Sequence, residues 1–484
     1  MSRSNTGARN GNTASHSMGT RNNMGNAAHG GNSNAGRMGG ANRNATGRNT
    51  PNARMGNAGA RNASLNRPNA RSLPGRQVSL RGGGSASIRP NGQIRSINRN
   101  GMHISRGLNG SRHIESMHNG ARVVSTGRGA GYVQRAYVVR GGHTYYSRTY
   151  YYHGAYHVGV YRGYYWHGHA YYGYYHPYWY HPAFYGWAFN PWPAPVYWGW
   201  GWGGAPWYGY YGGYFAPYPV YPSAAFWLTD YLIASELQAA YAAQQAAAAN
   251  AAANAAAANA PANNAPADQQ QQDNGDAQAS VQNSGSVTLT PEVKEAIAEE
   301  VKAQLAAQQA QAQQPASSGT QQASSGAQPA PASDEAPPAL DPAQRTFVVD
   351  TDLTVNADGQ ECQLTSGDVL TRLTDTADSD GNVNASVQGS KAKDCAAGKM
   401  VAVSVDDLQE MQNHFQQQLD DGMKQLAAKQ GTGGLPKAPD TATTASDVPP
   451  PPPDQSAGKT IDDQQAQADQ TEAQVVKEAF SQGS

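Results

Sequence analysis

Four Asn-Gly pairs, at Asn91, Asn100, Asn109 and Asn119, stand 9, 9 and 10 residues apart. Both residue types accept the positive φ of a tight hairpin turn, so Asn-Gly between short apolar runs is a strong hairpin signal. The runs between them contain Ile or Val (93–97, 102–105, 113–117, 122–125), and longer ones follow at 132–140 and 144–152. That beat leaves roughly seven residues per strand and two per turn, which predicts an antiparallel meander. Alternation with Arg and Ser marks one face as wet. The aromatic stretch downstream is expected to cover the other.

That stretch holds all 27 Tyr and all 9 Trp of the chain between Tyr132 and Tyr241. Its interleaved Gly and Pro exclude long helices. As far as Tyr165 the spacing follows a strand-and-turn rhythm; beyond His176 the prolines are too frequent for central strands and predict extended coil and turns. Each Tyr or Trp joins a large apolar face to one polar atom. The rings therefore suit two roles: the core of a β-rich domain poor in Leu and Ile, or a surface for sugar rings, bases or Pro-rich strands. For a surface the candidates are Tyr174, Tyr175, Trp179, Tyr180, Trp198, Trp200, Trp202 and Trp207.

The net charge of zero conceals a division. Residues 1–229 contain 23 Arg, no Lys and one carboxylate, Glu115; residues 230–484 contain 2 Arg and 10 Lys against 34 Asp and Glu. The two segments carry +22 and −22. A basic segment of this kind seeks nucleic acid, an anionic polymer, lipid head groups, or the acidic segment of its own chain.

Six segments follow from composition. Residues 1–75 are a basic Arg/Asn/Gly arm with too little apolar material to order itself. Residues 76–228 are the β-rich Tyr/Trp/Gly domain, and 229–312 hold Ala/Gln-rich helices. The first helix is expected at Leu228 with Thr229 as cap and Asp230 in the first turn. The second is expected at Pro291, capped by Thr290. Its stripe Val293, Ile297, Val301 and Leu305 needs either the first helix or another copy of the chain. Residues 313–343 are a linker. Residues 344–430 form a small module that holds five short strands (346–349, 353–355, 369–373, 383–387, 400–405), read as a small barrel, and a C-terminal helix. That helix is amphipathic, opened by Asp406 and Asp407 near Ser404, with Leu408, Met411, Phe415, Leu419, Met423 and Leu426 on one face. Residues 431–484 are a Pro-rich acidic tail expected to be disordered, with a short helix candidate from Ile461 to Phe480. Cys362 and Cys395 are a plausible disulfide within the module; two buried thiols or half a metal site are the alternatives.

Within that module, Gln363-Leu-Thr-Ser-Gly-Asp-Val-Leu-Thr-Arg-Leu373 resembles the acidic Gly-Asp turn leading into the second long strand of bacterial SH3-like domains. The resemblance covers roughly residues 344–405 and implies binding of peptides or peptidoglycan, although Phe347 is the only Phe, Tyr or Trp among those residues. The chain as a whole also resembles bacterial Tyr/Gly/Trp-rich envelope-type proteins, which implies no activity.

Catalytic patterns are missing from the sequence. The aromatic segment has a single carboxylate, the acidic segment has a single histidine, His414, and the Gly-rich runs lack a phosphate-loop Lys. His167 and His169 are the nearest to a metal-ligand pair, with no carboxylate beside them to orient them; no cofactor is expected. No run of 18 apolar residues occurs, so no membrane-spanning helix is expected. Met1 is followed by Ser-Arg-Ser-Asn, without the apolar core of a signal peptide. Composition nonetheless suggests an envelope or extracellular protein, with a signal segment upstream of this Met. The reading is a non-catalytic interaction or adhesion protein binding polysaccharide, peptidoglycan or another surface polymer. The alternatives are RNA binding through the arm and ring stacking, and a self-assembling coat.

Overall fold

A computed structural model describes residues 73–127, 130–152, 154–258, 288–313, 320–322, 334–391 and 394–480. All of the described residues belong to one compact unit. Nearly all of the basic arm and most of the 313–343 linker lie outside the described residues.

Ten antiparallel strands follow one another in chain order: β1 (Arg76–Ser79), β2 (Ser85–Ile88), β3 (Ile94–Arg99), β4 (Met102–Arg106), β5 (Arg112–His118), β6 (Ala121–Gly127), β7 (Ala130–Arg140), β8 (His143–Tyr152), β9 (Ala155–Trp166) and β10 (His169–Tyr175). The expected meander is therefore present, and its turns explain why. Asn100-Gly101 and Asn119-Gly120 take φ of 53° and 72°, and 49° and 74°, the left-handed pairs of type I′ turns. At Asn91 and Asn109 only the glycine is left-handed, and Gly92 and Gly110 N–H close wider turns onto Arg89 and Gly107.

The remaining elements are β11 (Tyr178–Tyr180), α1 (Pro182–Phe189), α2 (Pro206–Tyr211), α3 (Ala224–Ala258), α4 (Pro291–Ala312) and β12 (Thr320–Gln322), which pairs with the end of β7. Then come β13 (Thr346–Val348), β14 (Leu353–Ala357), β15 (Gln360–Leu364), β16 (Val369–Arg372), β17 (Asn382–Gly389), β18 (Met400–Ser404), α5 (Val405–Lys429), β19 (Thr443–Ala445) and α6 (Ala457–Phe480).

The aromatic block does not cover the meander. Its opening stretch is the meander's last four strands; the rest wraps α3, α4 and α5 in a separate core that includes Phe184, Trp207, Phe215, Trp227, Ile297 and Leu419. The apolar face of the sheet (Ile97, Ile104, Ile114, Val123, Val133) meets Ala457, Ile461, Ala468 and Val475 of α6 instead. Residues 431–480 are thus an ordered portion of the fold and not a free tail: β19 pairs with β11 and α6 covers the sheet. The end of the linker is ordered too, with Ala339 and Leu340 buried in the second core.

Two helix expectations change. α3 starts at Ala224, so Thr229 lies inside it, with Oγ1 donating back to Ala225 O at 2.9 Å. Asp230 is a fully buried partner of Lys294 and not a first-turn residue. The stripe Val293, Ile297, Val301 and Leu305 is buried within the chain, against α1 and α3. Self-association through that stripe is excluded while the fold is intact. Thr290 does cap α4, accepting from Val293 N–H at 3.4 Å.

The C-terminal strands form a six-stranded sheet in the order β13-β16-β17-β18-β14-β15. Its end strands, β13 and β15, do not pair among the described residues, so the expected closed barrel is not formed. β15 escaped the reading because Gln-Glu-Cys-Gln-Leu is polar; its Glu361 instead faces Arg89 and Arg95 of the meander. Cys362 and Cys395 are joined in a disulfide. α5 begins where expected: Ser404 Oγ accepts from Asp407 N–H at 3.0 Å, and all six apolar residues of its face are buried.

The two charged segments of the chain close on each other. Arg89, Arg95, Arg99, Arg106, Arg112, Arg122, Arg135, Arg140, Arg148 and Arg162 each pair with a carboxylate from residue 335 onward. Of the partners open to the basic segment, the acidic segment of the same chain is the one these residues use.

Candidate functional site

β10 is the outer strand of the meander, and its exposed edge is met by a side chain. Asn413 of α5 accepts Tyr174 N–H at 2.8 Å and donates to Tyr172 O at 2.8 Å, replacing the hydrogen bonds of a neighbouring strand. This clips α5 to the sheet edge. Between that edge, β11, α4, α5 and the turn at 337–340 lies a cleft of about 1430 Å³.

Its walls are of two kinds. One is aromatic: Tyr145, Tyr164, Tyr174, Tyr175, Trp179 and Tyr180. These rings are held in place by directed bonds. Tyr174 OH donates to Asp420 at 3.1 Å, Tyr175 OH to Asp447, and His176 Nδ1 contacts Asp420 at 2.9 Å. Trp179 stands edge-on to Tyr175 and 4.9 Å from the His176 ring.

The other wall is glutamine. Gln304, Gln308 and Gln311 recur along one side of α4, and Gln409, Gln412 and Gln416 along one side of α5, at spacings of three and four. Some of these amides are satisfied: Gln409 Oε1 accepts Ala339 N–H at 3.0 Å, and Gln412 Nε2 donates to Gln344. Others are not. Both amide atoms of Gln308, Oε1 of Gln304 and of Gln412, and Oγ of Ser446 are buried without a hydrogen-bond partner in the protein. Gln308 is 2% exposed. Leaving such a group unmet costs about 1–3 kcal/mol.

The cleft is close to neutral. Its two arginines are each paired, Arg140 with Asp447 at 2.8 Å and Arg162 with Glu335 at 2.7 Å. Three carboxyls that burial pushes up to about 7, Asp350, Asp368 and Asp406, lie away from its walls.

The eight rings chosen from sequence divide evenly. Tyr174, Tyr175, Trp179 and Tyr180 line the cleft. Trp198, Trp200, Trp202 and Trp207 do not; they belong to the α3–α5 core, where Trp202, Trp200, Trp227 and Tyr231 stack in series at 4.4, 4.6 and 5.7 Å. His167 and His169 flank the β9–β10 turn, where His167 takes φ of 49°. Among the described residues no group of three His, Cys, Asp or Glu could hold a metal ion, and no helix is long and apolar enough to cross a membrane. The glutamines and Ser446 were missed by sequence reasoning. The recurrence of Gln beside the apolar stripe of α4 is the signal that could have found them.

Comparison with family models, with curated proteins and with solved structures finds no match to this chain.

Proposed function

We propose that this chain is a non-catalytic binding protein of the cell envelope or cell exterior, and that its cleft takes a stretch of uncharged, hydroxyl-rich polymer such as a polysaccharide or a peptidoglycan glycan strand. The observation that carries this is the pairing of a ring wall with an amide wall whose buried polar atoms lack protein partners. Ring faces accept the apolar faces of sugars. Unmet amides and a hydroxyl offer donors and acceptors to ligand hydroxyls and gain what they lack in the free protein. A polyanion fits less well, because the arginines at the cleft are already neutralised. The disulfide supports an oxidising location.

The resemblance of the six-stranded unit to SH3-like domains does not supply the site. The turn bearing it is covered by α3: a Cβ on Gly367 would lie 2.9 Å from Leu237 Cδ2, and Asp368 is fully buried. In this reading the unit is a scaffold that holds α5 in place.

Titration of the full-length protein with a soluble neutral glucan and with purified peptidoglycan glycan strands tests the proposal. We expect binding to one of them that changes little with salt and weakens on the order of tenfold or more in Gln308→Ala and Trp179→Ala, since one unmet polar contact is worth about 1–3 kcal/mol. Binding to single-stranded RNA instead, falling steeply with salt, would replace this reading with a nucleic-acid one. Gels or fibres formed without ligand would replace it with a coat.

A further inference from the structure

Two lysines of this chain lie against fully buried aspartates, and their surroundings differ. Lys391 Nζ is ringed by oxygen: Asp368 at 2.5 Å, Ser366 O at 3.0 Å, Thr365 O at 3.4 Å and Asp394 at 3.6 Å. Two of those acceptors are carboxylates. Lys294 of α4 has fewer. Its Nζ donates to Ala216 O at 2.7 Å and stands 2.7 Å from Asp230 Oδ1. Otherwise it faces the rings of Tyr218 and Phe215, at 3.7 and 5.2 Å. The Lys294 side chain is 6% exposed and that of Asp230 not at all. Burial lowers the Lys294 amine and raises the Asp230 carboxyl, in each case against the pull of the partner. Both shifts favour free amine and neutral acid.

The carboxyl group is also polarised. Oδ2 accepts Tyr221 OH at 2.7 Å and Tyr218 N–H at 2.5 Å. Trp200 Nε1–H donates to the Tyr221 oxygen at 2.6 Å, which strengthens Tyr221 as a donor. Oδ1 accepts no well-directed hydrogen bond although Nζ is so near. Two donors thus hold the oxygen on which negative charge would gather, while the amine faces the other oxygen. That is the donor arrangement acyl transfer requires, inside a shell of aromatic rings.

We infer that Lys294 and Asp230 condense into an isopeptide bond that joins α4 to α3. The Nζ lone pair attacks Cγ, and charge collects on Oδ2 between Tyr221 OH and Tyr218 N–H. Nζ gives up its proton to Oδ1, the Cγ–Oδ1 bond breaks, and one water leaves. Oδ2 remains as the amide oxygen with both of its donors in place. The step is redox-neutral and needs no co-reactant. Held contact takes the place of activation, since fixed geometry raises the effective concentration of the amine by orders of magnitude.

The mass of the full-length protein, unfolded and with its disulfide reduced, decides the matter. We expect it to fall below the sequence mass by one water. Trypsin should fail to cut after Lys294, and a branched peptide should contain both Asp230 and Lys294. Lys294→Arg keeps the charge but lacks this nucleophile and should show the full sequence mass. Full mass in the wild type with normal cleavage after Lys294 overturns the inference, as does a one-water deficit that persists in Lys294→Arg. The wild-type measurement stands even if the variant does not fold.

Discussion

Replacing Glu410 with Gln removes the charge that holds Arg148 inside the protein. The Arg148 side chain has no exposed surface, its Nη atoms lie 2.6 and 2.8 Å from the Glu410 carboxylate, and its guanidinium sits 3.9 Å over the Tyr161 ring. Burial alone pushes the Glu410 carboxyl up. Arg148, helped by Arg122 and the Asn413 amide, outweighs burial and holds it down at about 2, against 4.5 for the free group. The folded value is depressed, so the stabilisation is fully present above the unfolded value and is lost as pH falls towards the folded one. At about 1.4 kcal/mol per tenfold, the difference is worth about 3 kcal/mol at pH 7. That is an upper bound, because the Glu410 side chain stays 30% exposed. At pH 3 about 1 kcal/mol remains, since the unfolded carboxylate has taken its proton while the folded one has mostly not. Urea unfolding of wild type and Glu410→Gln at both pH values checks this. The stability gap should shrink by half or more on acidification. A gap of the same size at pH 3 and pH 7 would show that Gln fails through shape and not charge, and the reasoning would be wrong.

The two tryptophan sets should separate cleanly. Trp200→Ala, in the stacked core, should cost about 3–5 kcal/mol, whereas Trp179→Ala at the cleft should leave the thermal midpoint nearly unchanged and reduce glycan binding. Gly422→Ala reverses a general rule. Alanine usually stabilises a helix interior by up to about 1 kcal/mol, but a Cβ here would lie 2.6 Å from Leu228 Cδ2 and 3.0 Å from the Tyr231 ring. Denaturant unfolding should therefore show a loss of about 1–3 kcal/mol from overpacking between α5 and α3. His414 gives a basic-side counterpart to Glu410. Burial lowers its imidazole, but Glu236 at 2.8 Å outweighs this and raises it to about 9. A raised folded value means stability fully present below the unfolded 6.5 and lost as pH climbs through 9. His414→Gln should therefore cost more at pH 6 than at pH 10.

How much of this was legible depended on whether the signal was local. The meander was readable because each Asn-Gly pair dictates its own turn, whatever lies around it. The start and the apolar face of α5 were readable for the same reason: Ser404 caps within three residues, and the stripe repeats within one helix. Thr229 misled because Thr is a frequent cap, yet its hydroxyl bonds equally well to the carbonyl four residues back inside a helix. α6 was readable as a helix candidate over Ile461–Phe480 but its docking was not, because Ile461, Ala468 and Val475 stand seven apart and Ala offers little apolar area; only the sheet beneath makes them a face. The cleft was half legible. Its rings were named from sequence, but nothing local separates Trp179, which lines it, from Trp200, which stacks on Trp227. Trp179 is placed by β19, more than two hundred residues away, whereas Trp200 packs on Trp202, Tyr221 and Trp227, within thirty residues.

The same consideration explains the segregation of charge. Small side chains such as Ala457, Ala468 and Ala479 dock α6 closely but specify its register poorly, because sliding the helix by two turns puts similar residues against Ile104 and Val123. The carboxylates do not tolerate such a slide. Asp454 meets Arg135, Glu472 meets Arg106 and Arg112, and Glu478 meets Arg99. A two-turn shift would leave Arg99, with 12% of its side chain exposed, without a countercharge, at a cost well above that of the packing change. Single-sign segments add one further property. With nearly all of the sheet's charge carried by arginine and the carboxylates on the elements packed against it, pairs between strands of the sheet are rare among the described residues and pairs across the layers are the ones available. The Arg122–Glu115 pair, at 2.7 Å, is the exception within the sheet, and Arg122 also reaches Glu410 of α5 at 3.5 Å. A chain poor in Leu and Ile thus places its layers by charge where a more apolar chain would do so by core shape.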